Sequence, residues 1–155
     1  MPRPKRHRMM NRPPAMKGFK PFGIAARDVE TIPMLFEEYE ALKLADYELL
    51  TQENAARVMN VSRPTFTRIY ENARRIVARA LAESKAIEIA GGNVAFSKDW
   101  YKCNECNHLF ERERGVEVNS CMECDSENVY SIAEALENES KMHSKQNEGM
   151  GSGGH

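Results

Sequence analysis

The four cysteines carry the most specific chemistry in this sequence. Cys103 and Cys106 form one Cys-x2-Cys pair, Cys121 and Cys124 form another, and fourteen residues separate them. Each pair can make a tight knuckle that presents two thiolates to one ion. Two knuckles together supply the tetrahedral four-sulfur shell that zinc prefers. Trp100 and Tyr101 before the first pair, and Leu109 and Phe110 after it, have the character of strands in a small ribbon. Residues 98–130 hold too few apolar side chains to fold without a crosslink. A structural zinc ion contributes roughly 10–16 kcal/mol of apparent binding energy, which closes that gap. One structural zinc is therefore the expected cofactor. Iron held by the same thiolates and a redox-active dithiol or sensor are the alternatives. His108 would be a fifth ligand and reads as a surface residue, and His143 and His155 read as tail residues.

A second pattern reads as DNA recognition. Thr51 has the chemistry of a helix N-cap, and a helix is expected from Gln52 to about Met59. Asn60 tolerates the left-handed backbone that ends a helix sharply. Ser62 then caps a further helix, with Pro64 in its first turn, running to about Leu81. Ala55 and Ala56 are small where two crossing helices approach, and Val61 can plug the angle between them. Phe66 and Ile69 return to the same core. This is the helix-turn-helix template, whose second helix enters the major groove. Its outward face presents Arg63, Pro64, Thr65, Thr67 and Arg68 near the end that reaches base edges. Asn72, Arg75 and Arg79 follow where phosphates would run. A plain three-helix bundle with a solvated arginine face is the bland alternative.

Charge is segregated along the chain, although the net charge is only −1. Residues 1–27 carry Arg3, Lys5, Arg6, Arg8, Arg12, Lys17, Lys20 and Arg27 and no acid, and residues 54–85 are again basic. Local clustering, not the sum, creates a field that attracts phosphate. The proline-rich segment PRPKRHR reads as an extended arm that follows phosphates or a minor groove through Arg3, Lys5 and Arg6. With no apolar periodicity, it is expected to contribute nothing to folding.

The elements that must position these groups divide the chain into four zones. Residues 1–27 are the arm. Residues 28–97 form the helix-turn-helix domain, preceded by a helix over Met34–Ala45 whose Glu37, Glu38 and Glu40 lie largely outside its apolar face. This domain ends in a β-hairpin, in which AIEI and VAF flank Gly91-Gly92-Asn93. Residues 98–130 form the ribbon, and residues 131–155 are a short helix fading into a disordered tail. The fold class expected is mainly α, with the hairpin and a small β zinc ribbon.

PRPKRHR, FKPFGI, EALKLADYELLTQENAARVMNVSRPTFTRIYENARRIVARAL and KAIEIAGG together resemble a prokaryotic family of predicted DNA-binding proteins. It is known as domain of unknown function 134, or uncharacterised protein family 0251. The resemblance covers roughly residues 2–92. It implies a helix-turn-helix similar to that of sigma factor region four, and a role linked to transcription. Where the family usually has glycine, this chain has Asn60.

The expected function is sequence-specific binding of double-stranded DNA in transcriptional regulation. A protein-interaction adaptor on the transcription machinery is the alternative. A second copy of the chain and RNA polymerase are candidate partners. No enzyme is expected: there is no Ser/His/Asp or Cys/His set, no glycine-rich phosphate loop, and no open metal site beside a carboxylate cluster. No apolar run approaches the ~20 residues of a membrane span, and the basic N-terminus is not followed by an apolar stretch, so a cytoplasmic location is expected.

Overall fold

The computed structural model describes residues 7–149, with side chains through Met142. It forms two compact units that part between Ser97 and Lys98. The first unit contains two small sheets and three helices. Strand β1 (Arg8–Met9) pairs in parallel with β5 (Val94–Ala95). Strand β4 (Ala86–Ile89) runs antiparallel to β2 (Gly18–Phe19) and parallel to β3 (Thr31–Met34). In β3 the side chains alternate, with Ile32 and Met34 buried and Thr31 and Pro33 exposed. Pro33 is tolerated because β3 is an edge strand with one side free of ladder bonds.

Helix α1 (Phe36–Leu42) follows β3 directly and passes into a π-helical turn at Lys43–Tyr47. Its start lies later than the periodicity predicts because residues 31–34 are taken into the sheet. The Glu38 carboxylate accepts the Leu35 amide at 2.8 Å and satisfies an otherwise unpaired donor of the first turn. Helix α2 (Gln52–Val58) is capped by Thr51, whose hydroxyl accepts the Asn54 amide at 3.2 Å. Helix α3 (Arg63–Glu83) is capped by Ser62, with Pro64 in the first turn. Asn60, at φ +56°, makes the left-handed bend between the two helices. Ala55, Ala56, Met59, Phe66, Ile69 and Tyr70 share one core with Ala41 and Leu44, and Val61 packs against it from the turn.

In the second unit, β6 (Asp99–Cys103) lies between β7 (Leu109–Arg112) and β8 (Val129–Ser131), all antiparallel. Helix α4 (Ile132–Gly149) packs on β6 and β8 and buries Ile132 and Leu136. It runs well beyond the short helix expected, because good helix formers continue to Gln146 with no proline or glycine before Gly149.

Four expectations are overturned. The fold is not mainly α: about 40% of the described residues are helical and 19% are in strands, spread over three small sheets. The segments flanking Gly91-Gly92-Asn93 are strands but not a hairpin, since β4 pairs with β2 and β3 whereas β5 pairs with β1. From His7 onward the arm is not separate from the folded unit, since Arg8–Met9 is one of its strands. Met10 is buried, as are Pro13 and Pro14, and the Met9 and Met10 amides donate to the Met59 and Ala95 carbonyls at 3.0 Å each. Glu37, Glu38 and Glu40 do not lie outside the core but are among its most buried polar residues.

These carboxylates are distributed over separate partners. Glu37 accepts the Asn93 amide and pairs with Arg8 at 3.4 Å. Glu38 accepts the Asn72 side-chain amide as well as the Leu35 backbone. Glu40 has only Lys43, at 3.6 Å, and neither oxygen has a hydrogen bond among the described residues. Burial pushes the Glu40 pKa above its ordinary 4.5, only partly offset by Lys43. A carboxyl whose folded pKa is raised contributes stability that is full below its unfolded pKa and is lost as pH rises through the folded value. Glu40→Gln is therefore expected to raise the thermal midpoint at pH 7 and to leave it unchanged below about pH 4.5. Melting curves of both proteins across that range check this, and an equal midpoint at pH 7 would disprove it.

Candidate metal centre and basic helix face

The end of β6 and the loop before β8 bring the two cysteine pairs together. All four sulfurs lie within 4.8 Å of one another, and the Cys103–Cys124 and Cys106–Cys121 pairs are 3.6 Å apart. Sulfurs at about 2.3 Å from a tetrahedral zinc stand about 3.8 Å from each other, so the cluster needs little adjustment to enclose an ion. Cys103 and Cys121 are buried, while Cys106 and Cys124 face outward.

The two knuckles are built alike. Asn107 and Asp125 each take a left-handed turn, at φ +63° and +58°. Their amides donate to the carbonyls of Cys103 and Cys121 at 3.1 Å. The Glu105 and Glu123 amides point at the Sγ atoms of the same cysteines, at 3.3 and 3.4 Å. Backbone donors aimed at sulfur favour thiolate over thiol. The Cys106 amide leads in drawing Cys103 down to about 7. Cys124 has the Ser126 amide pulling it down, yet burial and the other three cysteines push it up to about 12. Four thiolates so close repel one another, and a bound cation removes that conflict. His108 stands outside the cluster, stacked on Phe110 and 4.0 Å from Glu123.

On α3 the arginines divide by face. Arg68, Arg75 and Arg79 lie at i, i+7 and i+11, so they share one side of the helix. All three are exposed, and Phe66, Ile69 and Ala73 point the other way into the core. Arg79 pairs with Glu83 at 2.7 Å. Arg63 is exposed at the first turn, where the Ser62 hydroxyl donates to the Thr65 hydroxyl at 2.9 Å.

Two residues expected on this face have partners within the protein. The Thr67 hydroxyl donates to Gln52 on α2 at 2.5 Å, with the Arg63 carbonyl as a second acceptor at 3.0 Å. Asn72 reaches back to Glu38 and so ties α3 to the start of α1. Arg3, Lys5 and Arg6 lie outside the described residues. The buried glutamates were missed because helical period alone places them on a solvated flank. The available signal was Glu40, four positions from both Phe36 and Leu44 and so on the helix face that they bury.

A paired-helix unit crossed by small sheets, followed by a β-ribbon whose four cysteines can hold one metal ion, defines a two-unit α/β protein with a C-terminal metal-site candidate. The chain belongs to the family described as protein of unknown function DUF134, whose model matches residues 1–97. It is 43% identical over 131 residues to a UPF0251 protein of Halothermothrix orenii, covering 82% of this chain and 97% of that one. A UPF0251 protein of Chloroherpeton thalassium is 40% identical over 129 residues, 83% of this chain and 85% of its own. One from Chlorobaculum tepidum is 35% identical over 136 residues, 86% and 69% respectively. Each of these stretches is longer than the family match, so the likeness extends into the cysteine-bearing unit. Among the described residues, no helix is long and apolar enough to cross a membrane.

Proposed function

We propose that this protein binds double-stranded DNA sequence-specifically and acts in the cytoplasm as a transcriptional regulator, with α3 in the major groove. The observation that carries the reading is the exposed row Arg68, Arg75 and Arg79 on a helix whose opposite face packs Phe66, Tyr70 and Ala73 into the core. Arg68, nearest the N-terminal end, suits a guanine edge, and Arg75 and Arg79 further along suit phosphates. Arg63 and Thr65 flank Arg68 at that end. Thr67 and Asn72 serve the reading as spacers that hold α3 against α2 and α1. The thiolate cluster is proposed to hold one structural zinc ion, filled by four sulfurs and closed to substrate. The protein on this reading acts by binding and not by catalysis, and a second copy or RNA polymerase would be its protein partner.

Selecting bound sites from random DNA with the metal-loaded protein tests the reading. On the selected site, Arg68→Ala is expected to cost ~1–3 kcal/mol and to relax preference at one base pair. Arg75→Ala should weaken all sequences alike. No enriched site, or both variants binding as the parent does, would defeat the groove assignment.

A further inference from the structure

The apolar stripe of α3 outlasts the core that covers it. Phe66, Ile69, Tyr70 and Ala73 are buried, but further along the helix Val77 is only partly covered and Leu81 is 78% exposed. Beside Val77 opens an apolar cleft of about 640 Å³, floored by Met16, Met34 and Ile87. Phe19 and Tyr47 line it as well, yet they are 67% and 82% exposed. A second hollow shares Leu42 and Val77 with the cleft and carries the apolar surface on to Leu81.

Three residues beyond Phe19 the chain makes a turn that presents Phe22, whose side chain is fully exposed. Pro21 fixes the backbone before it. Gly23 follows at a left-handed φ of +82°, with open space where a side chain would stand. A ring held outward between two such residues is preorganised and loses little freedom when a partner buries it.

Phe22 and the cleft are thus a knob and a hole on one face of one chain. At about 3.6 Å per extended residue, the backbone of Phe22 lies within about 11 Å of Phe19. A two-fold axis between copies seats each knob in the other's hole in a single operation, which makes the face self-complementary. The area agrees. Aromatic side chains bury about 150–250 Å² each, so Phe19, Phe22 and Tyr47 together expose on the order of 500 Å². A standard interface takes about 800 Å² from each partner, and Leu81 with the cleft floor supplies most of the difference. A small molecule in the cleft would leave Phe22 in water, whereas a second copy covers both. Val77 stands nine residues, or two and a half turns, from Arg68, so this side of α3 lies opposite the arginine row.

We propose that two copies of this chain pair about a two-fold axis through this face, the Phe22 ring of each entering the apolar cleft of the other. The pairing deepens the second-copy reading of the proposed function and rests on it only for the choice of partner. Because it is measured without DNA, its failure and the failure of DNA binding are told apart.

Sedimentation velocity of the full-length, metal-loaded protein should show a mass that rises from one chain to two between micromolar and millimolar concentration. Phe22→Ala should weaken the pairing at least about tenfold, as loss of a central aromatic anchor does. The fold is safe from this change, since a fully exposed ring holds no core together. Leu81→Glu, at the far end of the same face, should weaken pairing independently. Benzoylphenylalanine in place of Phe22 should, on illumination, give a two-chain product with the crosslink at Met16, Met34 or Ile87. The proposal is overturned if the protein stays a single chain throughout the range, or if Phe22→Ala pairs as the parent does. Crosslinks falling outside the cleft also overturn it. So does a native mass spectrum of one chain carrying a bound small molecule, which would make the cleft a ligand site instead.

Discussion

Chelating the metal is expected to unfold the second unit from Lys98 to Ser131 and to leave the first unit folded. On the thiol face of the ribbon, the fully buried residues are Cys103, Phe110 and Cys121, so two of the three are ligand candidates. Tyr101, Val118 and Val129 only partly cover them. That apolar surface cannot offset the backbone entropy of ordering more than thirty residues, at about 1–2 kcal/mol each. A structural zinc ion held by the four thiolates would supply roughly 10–16 kcal/mol of apparent binding energy. Holding four thiolates within 4.8 Å of one another requires a cation to balance their charge. Cys121→Ser should act like chelation, since a hydroxyl cannot replace a buried thiolate. Amide NMR with and without chelator reads the outcome: dispersion lost across 98–131, resonances of Ala55, Phe66 and Ile69 unmoved. X-ray absorption should find four sulfurs at about 2.3 Å. An intact ribbon without metal would refute the structural role, and a mixed nitrogen–sulfur shell would bring His108 in as a ligand.

Deleting residues 2–12 is expected to destabilise the first unit severely, the reverse of what a free arm would do. Met10 is 1% exposed, and removing a side chain buried to that degree costs about 2–5 kcal/mol. The same deletion removes Arg8, which pairs with Glu37 at 3.4 Å, side-chain exposures being 21% and 4%. Breaking a buried pair from one side costs about 3–5 kcal/mol, because the other charge stays buried. Gly92, at φ +119°, leaves the room that this carboxylate occupies, since an added Cβ would come within 2.6 Å of it. The destabilisation should depend on pH. Burial raises the Glu37 pKa and Arg8 opposes that rise, so without Arg8 the folded pKa climbs further. The raised carboxyl keeps its full contribution below about pH 4.5 and loses it as pH rises through the folded value. Arg8→Ala should therefore be most damaging near neutral pH and mildest in acid. Deleting only residues 2–6 separates the two roles of the segment. The fold should then survive, and the salt dependence of DNA affinity should become shallower by about 0.9 for each phosphate that the arm no longer neutralises. Denaturant titrations of both deletions at pH 7 and pH 5 decide the matter, and equal stability of the longer deletion and the parent would restore the free-arm picture.

What the sequence determined by itself was local. Thr51, Asn60, Ser62 and Pro64 specify caps and a bend through their own backbone preferences and side-chain oxygens, which act within four residues. The spacing of Ala55, Ala56, Phe66 and Ile69 marks one face of two helices by geometry alone. The cysteine spacing is legible for the same reason, since a knuckle closes within a few residues of each pair. Strand pairing, by contrast, was decided only by the tertiary structure. Gly91-Gly92-Asn93 has the composition of a hairpin turn, yet β4 and β5 part there, each completing a sheet with a segment some fifty or more residues earlier. Nothing within that stretch encodes those partners. Burial of Glu37, Glu38 and Glu40 was decided in the same way. Helical period shows which side chains share a face, but not whether Arg8, Asn72 and the Asn93 amide will arrive to satisfy a carboxylate there. Those three partners lie between 29 and 56 residues away in sequence, and only the folded chain brings them within reach.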